Sequence, residues 1–314
     1  MTDPVAARYR RFAAAEAAGH SPLYEALALG VAGDAAVLAF LAGLPPGKQQ
    51  PNLLFAALRH VAGTPADFPS FRTTLLRQAD AVRAVMLARG TQTNEAARCA
   101  VLLPVLARLP QPLALLEVGA SAGLCLLPDR YGYDYGGHRL GGAPVFACDP
   151  RGGTPVPAEL PLVAWRAGLD LNPIDVGDPD QAGWLETLVW PDQPLRLARL
   201  HAALAVARAA PAPVRRGDLL TDLPALAAEA PAAATLVVFH SAALAYVADP
   251  ASRAAFAAAV RALGAVWVSN EAPGVFPAIA ARLGARGPNG AFLLAVDGVP
   301  VAWTDPHGAW IDWI

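Results

Sequence analysis

The chain has 314 residues, 55% of them hydrophobic, which is ample for one large or two modest cores. Its net charge of −2 and its lone lysine, Lys48, leave no basic footprint for nucleic acid or for an acidic membrane surface. Cys99, Cys125 and Cys148 are odd in number and lack metal-ligand spacing, so the expectation is buried reduced thiols, with no disulfide framework and no metal site.

Arg8, Arg10 and Arg11 precede an apolar patch too short for a signal-peptide core, and the greasy run Ala230–Ala248 is interrupted by Pro231, Thr235, His240 and Ser241. A soluble cytoplasmic protein without a membrane partner is therefore expected. Up to about residue 110 the apolar residues recur at three- and four-residue spacing, over Tyr9–Ala18, Pro22–Val31, Ala35–Leu44, Asn52–Val61, Phe71–Arg89 and Asn94–Leu106. No strand alternates with these helices, so residues 1–110 read as a helical cap and 111–314 as a separate sheet domain. Within the cap, Arg89–Arg98 is unusually polar. It reads either as a helix start, capped by Thr91 or Thr93 with Glu95 in the first turn, or as a lid edge that turns Gln92, Asn94 and Glu95 toward a ligand cleft.

Leu113–Val118 is a buried strand that ends in an acid, Glu117, and runs into the turn Gly119-Ala120-Ser121-Ala122-Gly123. The apolar positions after this turn suit a helix, and a strand, a tight turn and a helix start together leave unpaired N–H groups over the sheet. Asp129–Gly142, with three tyrosines and two glycine pairs, suggests a hairpin, and Val145–Cys148 a further strand. Trp165–Asp175 brings Asp170 to a turn before Pro173. Trp184–Trp190 and Leu195–Ala209 read as helices, the second basic, and Val214–Leu219 as the edge of a third strand followed by Gly217-Asp218.

Thr235–Phe239 is a second buried strand, ending at His240 with Tyr246 shortly beyond. A histidine at a strand's carboxyl end suits a general base, because its ordinary pKa lies near neutrality. The helix Arg253–Leu263 leads to the strand Ala265–Glu271, and Asp297-Gly298 joins two strands in an antiparallel hairpin, followed by a last segment, Trp310–Ile314.

The order Glu117-x-Gly119-x-Ser121-x-Gly123 resembles the first motif of class I S-adenosylmethionine-dependent methyltransferases, with Ser121 at the middle glycine. Gly168–Pro173 and Gly217–Leu219 resemble the later motifs of that class. The segments 91–95, 116–123, 165–170 and 239–246 together also make the chain similar, over nearly its whole length, to an uncharacterised bacterial family, domain of unknown function twenty-three thirty-two. The resemblance implies an α/β fold with a Rossmann-like, methyltransferase-type sheet, parallel strands plus a C-terminal antiparallel hairpin, and the helical cap as a lid. It implies S-adenosylmethionine as cofactor. Glu117 and the backbone of Gly119, Ala120, Ser121 and Gly123 would hold its methionine end, Asp170 the ribose, and Asp218 with Leu219 the adenine. A small-molecule acceptor would lie near Gln92, Asn94 and Tyr246, with His240 as the deprotonating or orienting residue and Glu95 and Glu271 as its partners. Three other functions stay open: non-methyl chemistry on the same cofactor, a binding module without catalysis, and a nucleotide-binding oxidoreductase.

Overall fold

The computed structural model describes residues 3–92, 94–284 and 287–314. Its helices are α1 (Pro4–Phe12), α2 (Pro22–Gly33), α3 (Ala35–Ala42), α4 (Pro51–Ala62), α5 (Phe68–Arg77), α6 (Ala79–Ala88), α7 (Cys99–Leu106), α8 (Pro179–Leu188), α9 (Pro194–Ala209), α10 (Leu223–Ala227), α11 (Pro250–Ala262) and α12 (Pro277–Ala280). Its strands are β1 (Leu113–Val118), β2 (Gly132–Tyr135), β3 (His138–Leu140), β4 (Val145–Ala147), β5 (Asp149–Arg151), β6 (Val163–Asp170), β7 (Val214–Arg216), β8 (Thr235–Ser241), β9 (Val266–Glu271), β10 (Phe292–Val296), β11 (Val299–Thr304) and β12 (Trp310–Trp313). Among these residues no single helix is long and apolar enough to cross a membrane.

The chain forms two compact units, residues 1–93 with 178–198, and residues 94–177 with 199–314. The division expected at residue 110 is thus moved. Residues 94–110 belong to the sheet unit, and α8 belongs with the N-terminal helices because Trp184 is buried in their core. In the helical unit Tyr24, Phe55, Phe71 and Trp190 form an aromatic cluster, edge-to-face between Phe55 and Phe71 and tilted at Tyr24, and the Arg59 guanidinium donates to the Thr187 and Val189 carbonyls at 2.9 and 2.5 Å. The helix expected over Phe71–Arg89 is broken near Gln78, between α5 and α6. Asp34 and Asp67 cap α3 and α5 by accepting from N–H groups of their first turns.

In the sheet unit nine strands run in the order β5-β12-β11-β10-β9-β8-β1-β6-β7. From β7 to β9 every pairing is parallel, and β10 and β11 continue antiparallel as a hairpin. The hairpin turn carries Asp297 and Gly298 at φ 51 and 75°, both left-handed, as a tight turn between twisted strands requires. All six residues of β1 are buried, which accounts for its unbroken apolar run. A separate three-stranded sheet, β3-β2-β4, follows β1.

The helix expected after the glycine turn is replaced by one 3-10 turn, Leu124–Leu126, and the chain goes directly into β2. Tyrosine hydroxyls fix this course: Tyr131 donates to the Leu124 carbonyl at 2.9 Å, Tyr133 to Pro128 at 2.7 Å and Tyr135 to Ala100 at 2.6 Å. Strand order reverses at β1, since β6 follows on one side of it and β8 pairs on the other. There the turns after β1 and β8 touch. A Cβ on Gly119 would lie 2.4 Å from the Ala243 Cβ, and Gly119 holds φ +73°, where side chains are strained.

Gly119→Ala is therefore expected to lower stability by about 2–4 kcal/mol. Chemical-denaturation midpoints of the variant and of Gly119→Ala with Ala243→Gly check this, the pair recovering the contact portion and leaving the backbone strain.

Candidate functional site

The carboxyl ends of β1, β6 and β7 carry Glu117, Asp170 and, two residues past the last strand, Asp218. Parallel register sets Glu117 opposite Gly168 on β6 and Phe239 on β8, so these acids share one edge of the sheet. Gly168 is needed there because a Cβ on it would come 2.6 Å from the Ala120 Cβ.

The turn 119–123 has its N–H groups occupied, contrary to the expectation of unpaired donors. Gly119 and Ala120 donate to the Leu169 carbonyl at 2.8 and 3.4 Å, and Gly123 donates to the Ala120 carbonyl at 2.7 Å. The Ser121 N–H donates to Asp170 Oδ2 at 2.8 Å, and the Ala122 N–H to Asn94 Oδ1 at 2.9 Å. Asn94 Nδ2 also donates to Ser121 Oγ at 2.7 Å, and the Ser121 carbonyl accepts from the Ile174 N–H at 3.0 Å. Ser121 is thereby fixed at φ 50°, a conformation that an L residue keeps only when its surroundings enforce it. Asn94 acts as a clamp on the turn rather than as a helix start. The alternative cap, Thr93, lies outside the described residues.

Asp170 is half-buried, and its second oxygen accepts from the Asn172 N–H at 2.7 Å. Each of its oxygens so retains a lone pair. Asp218 caps its own loop, accepting from the Leu220 and Thr221 N–H groups at 2.7 and 3.3 Å. Leu219 packs on the sheet unit's apolar core.

Glu117 is 5% exposed and its Oε2 has no hydrogen-bond partner. Burial pushes its carboxyl well above the usual carboxylate range, with Cys125 adding to the shift and Arg98 opposing it. Arg98 is itself buried and donates to the carbonyls of Pro306 at 2.7 Å and Ser241 at 3.0 Å. Sequence reading passes over this arginine, because nothing local distinguishes it from the solvated arginines nearby. Glu95 is buried with Arg199 Nη2 and His307 Nδ1 at 3.7 and 3.8 Å from its Oε2.

His240 lies in a different kind of environment from that expected of a base. Its ring is 0% exposed among Phe256, Trp267 and Phe276. Trp267 Nε1 donates to its Nε2 at 3.0 Å, which assigns the proton to Nδ1, 2.7 Å from Glu271 Oε1. No lone pair of His240 is left to take a proton. The same Glu271 oxygen accepts from the Ala243 and Leu244 N–H groups at 2.9 and 3.0 Å, so His240 and Glu271 hold the turn that packs on Gly119. Asn270 supports that turn too, donating to Ser241 Oγ at 3.0 Å and accepting from Thr304 Oγ1 at 2.7 Å. Tyr246 is 63% exposed. Gln92 belongs to the helical unit and Asn94 and Glu95 to the sheet unit.

The structure thus brings Asn94, Ser121, Asp170 and Glu117 to one strand edge and assigns His240 with Glu271 to its buried support. The family described as an uncharacterized protein conserved in bacteria, DUF2332, matches residues 6–313, and the chain belongs to it. No curated protein and no solved structure shows a significant match.

Loss of the clamp in Asn94→Ala is expected to cost about 1–3 kcal/mol, read from urea midpoints, since two hydrogen bonds to the turn disappear. Glu117 gives a pH signature. Above its ordinary pKa of 4.5 the unfolded chain ionises while the folded carboxyl keeps its proton, so this group's contribution to stability falls as pH rises toward the folded value. Denaturant melts should find Glu117→Gln gaining on the native protein as pH rises above the ordinary value of 4.5, with the gap closing at the acid end.

Proposed function

We propose that the sheet unit binds S-adenosylmethionine at the carboxyl edge of β1, β6 and β7 and transfers its methyl group to a small-molecule acceptor. The observation that carries this reading is the run of acids Glu117, Asp170 and Asp218 along one edge of adjacent parallel strands. Open parallel sheets receive ligands where strand order reverses, and here that point is the end of β1. The parallel order β7-β6-β1-β8-β9, with an antiparallel strand beside β9, resembles a Rossmann-like methyltransferase sheet. Asp170 offers one lone pair on each oxygen, which suits the two ribose hydroxyls. Glu117 supplies a buried acceptor for the cationic end of the methionine moiety, and Asp218 with Leu219 faces the base.

The turn contributes shape rather than donors, because its N–H groups are already used. Methyl transfer depends chiefly on aligning nucleophile, methyl carbon and leaving sulfur, so a rigid edge serves it without a covalent intermediate. His240 and Glu271 act in this scheme as positioning residues, and Glu95, with Arg199 and His307 beside it, is the acid left for the acceptor side. Three buried, unpaired cysteines favour a reducing compartment such as the cytoplasm for this activity.

The occupied N–H groups of the turn favour a second reading, in which the same edge binds the cofactor without turnover. Calorimetric titration with S-adenosylmethionine and with its demethylated product tests the shared premise. Saturable binding is expected, weakened about tenfold or more in Asp170→Asn by loss of a charged acceptor. Binding of neither compound at millimolar concentration overturns both readings. Mass analysis of products over an acceptor panel separates methyl transfer from other cofactor chemistry and from binding alone.

A further inference from the structure

Arg98 is a charge that the sheet unit buries without a partner of opposite sign. It ends the 3-10 turn Ala96–Arg98, and the loop after β11 closes on that turn so tightly that a Cβ on Gly308 would lie 2.1 Å from the Ala97 carbonyl oxygen. Arg98 Nε donates to the Pro306 carbonyl of this loop and Nη1 to the Ser241 carbonyl at the end of β8, while the Phe292 ring of β10 lies 5.8 Å from Cζ. All of these contacts are with neutral groups. Among the described residues no carboxylate oxygen lies within 4.0 Å of the guanidinium. The buried acids of the unit are committed elsewhere: Glu95 lies with Arg199 and His307, Glu271 holds His240 and two backbone N–H groups, and burial favours the neutral form of Glu117.

An arginine keeps its charge in a protein, and a buried charge is costly until an opposite one meets it. The guanidinium also has a donor to spare, since Nη2 meets no acceptor among the described residues. That nitrogen keeps accessible surface, whereas the unpaired Nε atoms of Arg199 and Arg253 are closed off. Its place is set by the bond that its neighbour Nη1 makes to Ser241. Glu117 of β1 stands opposite Phe239 of β8, and two residues further along each chain are Gly119 and Ser241. The guanidinium therefore sits where strand order reverses, the point at which open parallel sheets receive ligands. The terminal nitrogens of an arginine match the paired oxygens of a carboxylate, and one guanidinium among carbonyls suits a single negative charge better than the double charge of a phosphate.

We propose that Arg98 is a binding residue for a ligand carboxylate at the carboxyl end of β8, so that this edge receives a small carboxylic acid. The acid is either the acceptor or the amino-acid end of the cofactor. That choice rests on the function proposed above; the site itself does not.

Titration of the isotope-labelled full chain at constant pH and ionic strength, followed by NMR at the Arg98 Nε–H and the Ala242 amide, tests the site. Butyrate should shift both signals saturably, and butyramide and inorganic phosphate should not. A butyrate shift that persists in chain saturated with S-adenosylhomocysteine identifies the acceptor as the acid. Displacement of butyrate by S-adenosylmethionine, but not by its decarboxylated form, identifies the cofactor. Butyrate binding by a chain that takes up neither adenosyl compound overturns the cofactor reading and keeps the site. Arg98→Lys, read at Ala242, should weaken butyrate binding about tenfold or more, because lysine lacks the paired donors. Should that variant not fold, the native titration decides. The proposal is overturned, even where calorimetry finds the cofactor bound, by the absence of a saturable shift with both butyrate and S-adenosylmethionine, by an equal response to butyramide or phosphate, or by unchanged binding in Arg98→Lys.

Discussion

The hydrogen bond from the Ser121 N–H to the Asp170 carboxylate joins the tips of two neighbouring parallel strands, and the geometry of the candidate site follows from it. It holds a serine in the left-handed region, which turns the chain sharply off β1. Asn94 and Ile174 fix the remaining polar atoms of the same residue. With every donor of the turn satisfied, the edge is rigid before any ligand arrives, and specificity passes from backbone N–H groups to the acids beside them. This differs from phosphate-cradling turns, which keep their donors free at a helix start.

A second support lies one strand away. Glu271 gathers His240 and two backbone donors on a single oxygen, and the turn so held meets Gly119 closely enough that a methyl group would not fit. Polar groups buried this deeply are stable only when their partners are complete, and here the one unfilled acceptor faces no cation of the protein. Glu117 Oε2 presents the same situation at the end of β1, where burial favours the neutral acid. These two buried carboxyl groups with spare oxygens stand at the ends of β1 and β9, with β8 between them.

Much of the frame was legible in the sequence. β1 and β8 are covered on both faces and therefore read as unbroken apolar runs, and Asp297-Gly298 announced its hairpin through backbone conformation alone. The acids at strand tips were legible for the same reason, as polar residues that end such runs. The segment after the glycine turn was not, because a short apolar stretch such as Leu124–Leu127 has no period that distinguishes a helix from a buried 3-10 turn, and the deciding contacts are tyrosine hydroxyls further along. Asn94 was singled out for its polarity, but its partners stand 27 and 28 residues away, beyond any local pattern. His240 looked like a base from its position at a strand end, and only the Trp267 donor across the sheet shows its lone pair to be taken.

The central claim is that the edge formed by β1, β6 and β7 receives an adenosyl group. A crystal structure grown with S-adenosylhomocysteine tests it most directly. The account predicts the ligand over residues 119–123, with the ribose hydroxyls on Asp170 and the amino-acid end toward Glu117. Clear density for that ligand elsewhere, or an empty edge in crystals saturated with it, would contradict the account.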